Sequence, residues 1–139
     1  MKIKPRRSML FAPASNARAL EKGRTLPADG LIFDLEDSVA EDMKEAARRA
    51  LVEALGARAY GSRTIIVRVN GLDTPWGAED VAALAKSGAD ALLFPKIACA
   101  QDVLDATLAM EDADSPLSTR LWVMMETALG VLNAGEIAA

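Results

Sequence analysis

The chain has 139 residues, long enough for one modest domain with a core of its own, and its 51% hydrophobic and 26% charged residues exclude a disordered chain. The net charge of −4, with Arg6-Arg7 and Arg48-Arg49 only as pairs, excludes an electrostatic nucleic-acid partner. There is no histidine, which removes Ser-His-Asp and Cys-His catalysis and histidine metal sites.

The N-terminal stretch MKIKPRRSMLFAPAS is basic, but its apolar part is too short and broken for a signal peptide. No apolar run is long enough to cross a membrane, so no membrane partner is expected. Cys99 is the single cysteine, which fits a reducing cytoplasm, the expected localisation.

The first predicted strand is SMLFAP (8–13), followed by a helix over 16–26. The second, GLIFDL (30–35), runs from apolar residues into three acids, Asp34, Glu36 and Asp37. A helix over 42–55 follows, with Ala46, Ala47, Ala50, Leu51, Ala54 and Leu55 on one face and Gly56 placed as a stop. Asp37 reads either as a site residue or as an N-cap for that helix. The third strand, RTIIVRV (63–69), carries Arg68 between two valines; such a charge must be met by something specific, and Asp34 is a candidate. A helix over 76–86 leads to the strand ALLFP (91–95), which ends at Lys96, either a site residue or solvated at a loop start. A helix over 99–111 and the turn-rich DADSPLST precede the fifth strand, LWVMME (121–126). No Lys or Arg near Glu126 in sequence neutralises it, which leaves a metal ion or a distant arginine. A fifth helix begins near Leu129. Cys99 reads as a buried small residue, and Trp76 and Trp122 as packing.

Strands such as TIIV and ALLF, apolar on both faces, alternate with helices, as in an α/β fold with a parallel sheet. Length favours an open doubly wound sheet, because a closed (β/α)8 barrel takes about 250 residues. The placement of polar residues favours the barrel: each strand delivers them at its C-terminal end, where ligands bind in such folds. No Gly-rich phosphate loop occurs, and no linker divides the chain into more than a single domain over 1–139.

The segments RRSMLFAPAS, DGLIFDLEDSV, VRVNG, LLFPK and METALGVLNAGEIA, in this order, resemble the citrate lyase β-subunit-like branch of the HpcH/HpaI aldolase superfamily, whose relatives include citramalyl-CoA and malyl-CoA lyases. The resemblance runs from Arg6 to the last residue. It implies a (β/α)8 TIM-barrel fold, of which about five βα units are present. It also implies Mg2+ and reversible carbon–carbon cleavage of a hydroxyacyl-CoA or acyl-carrier thioester to an acetyl thioester and a 2-oxo acid. Carried over by position, Glu126 is a metal ligand and Arg68 holds the substrate's carboxylate and keto or hydroxy oxygen. Glu36 and Asp37 hold metal-bound waters, and the backbone of Ala128, Leu129 and Gly130 binds a carboxylate. Phe11, Arg18 and Lys22 face coenzyme A.

The implied partners are small-molecule acyl-CoA and 2-oxo acid, with an acyl-carrier protein as a second carrier, in a homo-oligomer. Hydrolysis of the thioester, a malate-synthase-like condensation and a non-catalytic subunit remain as alternatives. Two departures stand out. Pro13-Ala14-Ser15 has alanine where the family often has glycine. The family's second metal ligand, an aspartate, is expected on a later strand, so these residues alone are expected to form a weakened metal site or none, with little turnover.

Overall fold

The computed structural model describes residues 6–139; the basic residues at 1–5, part of the stretch read above against a signal peptide, lie outside it. Five strands, β1 (Met9–Pro13), β2 (Gly30–Asp34), β3 (Thr64–Arg68), β4 (Ala91–Phe94) and β5 (Arg120–Val123), alternate with helices α1 (Ala17–Gly23), α2 (Lys44–Gly56), α3 (Gly77–Leu84) and α4 (Ala100–Asp112). Two short helices, α5 (Ala128–Leu132) and α6 (Ala134–Ile137), follow β5. The single helix expected from Leu129 onward is therefore two, broken at Asn133, which caps one and precedes the other.

Every strand pair is parallel, and the order in the sheet is β1-β2-β3-β4-β5. A doubly wound sheet reverses its strand order at a switch point. Here the order never reverses, so each βα unit lies beside the previous one, as in a barrel. Length had favoured the open sheet; the strand order favours barrel-type winding.

The two faces of the sheet are unequal. Leu31, Phe33, Val67, Leu92 and Phe94 join Leu51, Leu55, Val81 and Leu84 of the helices in the main core. Phe33 stacks at a tilt on Tyr60, with ring centroids 5.0 Å apart. The opposite face carries a smaller cluster, Ile32, Ile66, Ala91 and Leu93, flanked by Met9, Trp122 and Met124. Side chains two positions further along a strand stay on the same face. Asp34 and Arg68 therefore continue the rows of Ile32 and Ile66 to the C-terminal rim, where they sit side by side in the β2–β3 register.

Local sequence explains the element ends. Asn16 caps α1 by accepting from the Ala19 N–H at 3.1 Å. Asp102 closes the start of α4 by accepting from the Ala98 and Cys99 N–H groups at 2.7 and 3.1 Å. Those N–H bonds, ahead of the desolvation that opposes them, hold its carboxyl below the usual range. Cys99 is the half-buried N-cap of that helix and not a core residue. The α2 start also differs from the Asp37 cap reading: a 3-10 turn (Glu41–Met43) leads in, and Met43 stands at the N-cap without a side-chain bond. At Gly77 a Cβ would fall 2.2 Å from the Gly71 carbonyl oxygen, so only glycine lets α3 start this close to the loop after β3. Among the described residues, no helix is long and apolar enough to cross a membrane.

Candidate functional site at the C-terminal rim

Asp34 and Arg68 form the foundation. Asp34 Oδ1 accepts from Arg68 Nε at 2.7 Å and Oδ2 from Arg68 Nη2 at 2.8 Å, a two-point clamp. The same oxygens also accept from the Glu36 and Ser38 N–H groups, at 2.9 and 3.0 Å. Asp34 is thus saturated. It aims the arginine and shapes the loop that carries Glu36 and Asp37.

Burial works against the Asp34 charge, but the bonds from Arg68, Ser38 and Glu36 outweigh it and hold the carboxyl below the usual carboxylate range. For Arg68 the Asp34 hydrogen bond leads and raises its already high value, against desolvation. Asp34 therefore contributes stability that is fully present above the ordinary carboxylate pKa, about 4, and is lost as pH falls through its depressed folded value. The expected outcome is that wild type loses its stability advantage over Asp34→Asn as pH drops below about 4. Urea unfolding of both proteins across that range checks it.

The sequence left open whether Arg68 is a structural partner of Asp34 or a site residue. The geometry allows both at once. Nε and Nη2 are taken by Asp34; Nη1 faces the mouth, 3.2 Å from Glu36 Oε2, 3.8 Å from Asp37 Oδ2 and 4.0 Å from Glu126 Oε2. Three carboxylates from the ends of β2 and β5 thus gather at one guanidinium edge. The Phe11 ring, 5.2 Å from Arg68 Cζ, forms a cation–π floor. A cavity of about 610 Å3 opens here, lined by Phe11, Pro13, Asp34, Asp37, Arg68 and Met124 among others. Glu126, which lacked a neutralising neighbour in sequence, is met by the distant arginine and by the Lys96 N–H at 2.9 Å.

Lys96 has the larger part that sequence reasoning did not give it. Its ammonium bonds Glu36 Oε1 and, at 3.3 Å, Asp37 Oδ1. The Glu36 bond leads in raising its pKa. Lys44 was also missed. It is buried beneath the loop and donates to the Leu35 and Glu36 carbonyls at 2.8 and 2.7 Å, with its ammonium 5.5 Å from the Trp76 ring centroid. Desolvation leads in lowering its pKa, against the pull of Glu36 and Asp34. Only the register between the loop and α2 reveals this contact, because Lys44 looks like an ordinary helix-surface lysine in the sequence.

The remaining expected residues spread outward. Arg18 and Lys22 are exposed, four residues apart on α1, and form no ion pair among the described residues. Gly130 gives its N–H to the Thr127 hydroxyl at 2.9 Å, so this amide caps α5. A Cβ on Gly130 would lie 2.3 Å from the Ile97 carbonyl oxygen, so close packing alone already demands glycine. Ala128 and Leu129 are exposed in the first turn of α5. Ala14, in the family's glycine position, is buried and donates its N–H to the Asp34 carbonyl at 2.9 Å.

The donor set suits a hard divalent cation. At the mouth, Asp34, Glu36, Asp37 and Glu126 face Arg68 and Lys96: four carboxylates against two cations leave a formal −2. Among the described residues, no three His, Cys, Asp or Glu groups converge as a direct metal cage. The arrangement instead fits an ion that takes one carboxylate directly and keeps waters for the others, which is how Mg2+ is commonly held.

A family model for HpcH/HpaI aldolase/citrate lyase matches residues 7–139. The chain belongs to that family. Within it, the chain is 53% identical over 135 residues to a (3S)-malyl-CoA thioesterase of Cereibacter sphaeroides, covering 97% of this chain and 45% of that protein. It is 46% identical over 142 residues to the citrate lyase subunit beta of Escherichia coli, covering 99% of this chain and 47% of that protein. Among solved structures, protein CitE from Mycobacterium tuberculosis in complex with magnesium and acetoacetate superposes with a TM-score of 0.74 at 32% identity, covering 99% of this chain and 52% of that one. The same protein with magnesium, acetoacetate and coenzyme A gives 0.69 at 32% identity, covering 97% and 46%. The chain spans about half the length of the curated relatives it matches. The family fold and the parallel sheet in barrel order agree.

Proposed function

We propose that this chain supplies the anion- and metal-binding part of a Mg2+-dependent carbon–carbon lyase. Its substrate is a hydroxyacyl thioester of coenzyme A or of an acyl carrier, of the citryl, citramalyl or malyl type, and its products are an acetyl thioester and a 2-oxo acid. One observation carries the reading: Asp34 clamps two edges of Arg68 and leaves Nη1 facing the mouth between Glu36, Asp37 and Glu126. A buried guanidinium with one presented edge is preorganised for a substrate carboxylate or a developing alkoxide.

Glu126 would hold Mg2+, with Glu36 and Asp37 on its waters; when bound, the ion supplies electrostatic stabilisation of negative oxygen. Arg68 Nη1 orients the 2-oxo acid portion. Phe11 walls the mouth, and Arg18 and Lys22 present positive charge to the coenzyme's phosphates. The balance of the reaction follows from the substrate. The carbinol hydroxyl loses its proton and becomes a carbonyl, the pair from the broken C–C bond passes to the thioester enolate, and protonation of that enolate gives the acetyl thioester.

A second reading, hydrolysis of the thioester, is supported by the thioesterase named among the relatives at 53% identity. Malyl-CoA with Mg2+ discriminates the two. Lyase activity gives glyoxylate and acetyl-CoA in equal amounts without free thiol; hydrolysis gives malate and free thiol. Neither product from the 139-residue chain agrees with the little turnover expected of these residues alone, whereas no Mg2+-dependent protection by oxaloacetate overturns both and leaves a non-catalytic subunit.

A further inference from the structure

Lys96 occupies an unusual backbone position. It follows β4 and the buried Pro95 with φ +55°, in the left-handed region that non-glycine residues seldom adopt. That turn gives its two ends different tasks. The backbone N–H points to Glu126 Oε1 at 2.9 Å, on the β5 side. The side chain runs the other way, to Glu36 Oε1 and, at 3.3 Å, to Asp37 Oδ1, on the β2 side. Among the described residues, these are the hydrogen bonds that the Asp37 and Glu126 carboxylates accept. Arg68 reaches the same two groups only at 3.8 and 4.0 Å. The side chain is 57% exposed, so its ordering comes from the two carboxylates it meets and not from burial.

We propose that Lys96 is a positioning residue for the carboxylate ring. By joining Glu36 and Asp37 to Glu126 across the end of β4, it sets their spacing and thereby the affinity of the mouth for a divalent cation. The proposal rests on the metal reading given above.

The sign of the effect separates positioning from charge. If Lys96 acted only through its charge, removing the ammonium would strengthen cation binding, because one repelling charge is gone. If it positions the carboxylates, removal weakens binding despite that relief. Groups that orient metal ligands are commonly worth 10- to 100-fold in metal affinity. Mn2+ serves as the probe, with free ion read by electron paramagnetic resonance on the full chain and folding followed by circular dichroism.

Lys96→Met should bind Mn2+ about tenfold or more weakly than wild type. Lys96→Arg, which keeps charge and donors, should recover most of that loss. Lys96→Gly accepts φ +55° without strain, so it tests the same loss in a backbone that is at least as comfortable. Mn2+ bound by Lys96→Met and Lys96→Gly as tightly as by wild type, or more tightly, overturns the proposal and leaves the metal reading standing. A wild-type chain that binds no Mn2+ overturns the metal reading for these residues, and this proposal with it.

Discussion

Replacing Arg68 with methionine should cost about 3–5 kcal/mol of stability and abolish binding of a 2-oxo acid. The guanidinium is 9% exposed, and the Asp34 and Glu36 side chains it contacts are 3% and 8% exposed. Their mutual attraction offsets the desolvation of all three. Methionine fills much of the volume but leaves the buried Asp34 carboxylate without its cation, beside a Glu36 that keeps only Lys96. Folded domains hold only about 5–15 kcal/mol in total, so a loss of this size brings the variant near its unfolding threshold. Lysine at position 68 keeps the charge but cannot make the two-point clamp, so an intermediate loss is expected. The double variant Arg68→Met with Asp34→Leu should regain part of the stability, because both charges leave together. The penalty should also shrink in acid, where an unpaired Asp34 takes up a proton. Urea denaturation of the three variants at neutral and acid pH measures each of these, and isothermal titration with oxaloacetate measures the binding loss. A fully stable Arg68→Met protein would mean that the clamp does not hold the rim together.

Much of this arrangement was visible in the sequence because its cause is local. The five apolar runs are short and doubly apolar, and the helices between them have clear periods, so the alternation of elements could be read directly. The C-terminal polar residues of the strands could be assigned to one rim because parallel strands end on the same side. What the sequence withheld depends on contacts between distant segments. Whether the sheet reverses its order is decided by which strands become neighbours, and no local pattern encodes that. Lys96 was legible as a rim residue, either of the site or solvated, and Lys44 only as a charged residue. Their tasks come from a left-handed turn after β4 and from the depth at which α2 packs under the loop after β2. Asp37 resembled a helix cap because it stands before a helical segment; the intervening 3-10 turn removes that job and leaves its carboxylate for Lys96.

The second large effect lies away from the mouth, at Asp80. This residue is fully buried on α3 and contributes nothing to the rim directly. Its Oδ1 accepts from Arg48 Nε at 2.7 Å, and its Oδ2 from the Asn70 N–H and Nδ2 at 3.0 and 2.6 Å. Asn70 Nδ2 also donates to the Leu35 carbonyl at 3.0 Å, which Lys44 shares. A single carboxylate therefore ties α2, α3 and the ends of β2 and β3 together, one residue before Glu36. Asp80→Ala should cost about 3 kcal/mol, because it leaves the Arg48 guanidinium to the exposed Glu79 carboxylate alone, at 2.7 Å, and leaves the buried Asn70 N–H without its partner. Arg48→Met should cost less, since Asp80 keeps both Asn70 donors. The two losses should not add, because they share one bond. Urea denaturation of the single and double variants gives the coupling. Amide exchange adds the link to function: in Asp80→Ala, the N–H groups of Glu36 and Ser38 should lose protection more than those of β4, because the loop that presents the carboxylates has lost its lower support. Equal loss of protection everywhere would show that Asp80 stabilises the fold as a whole without bracing the site.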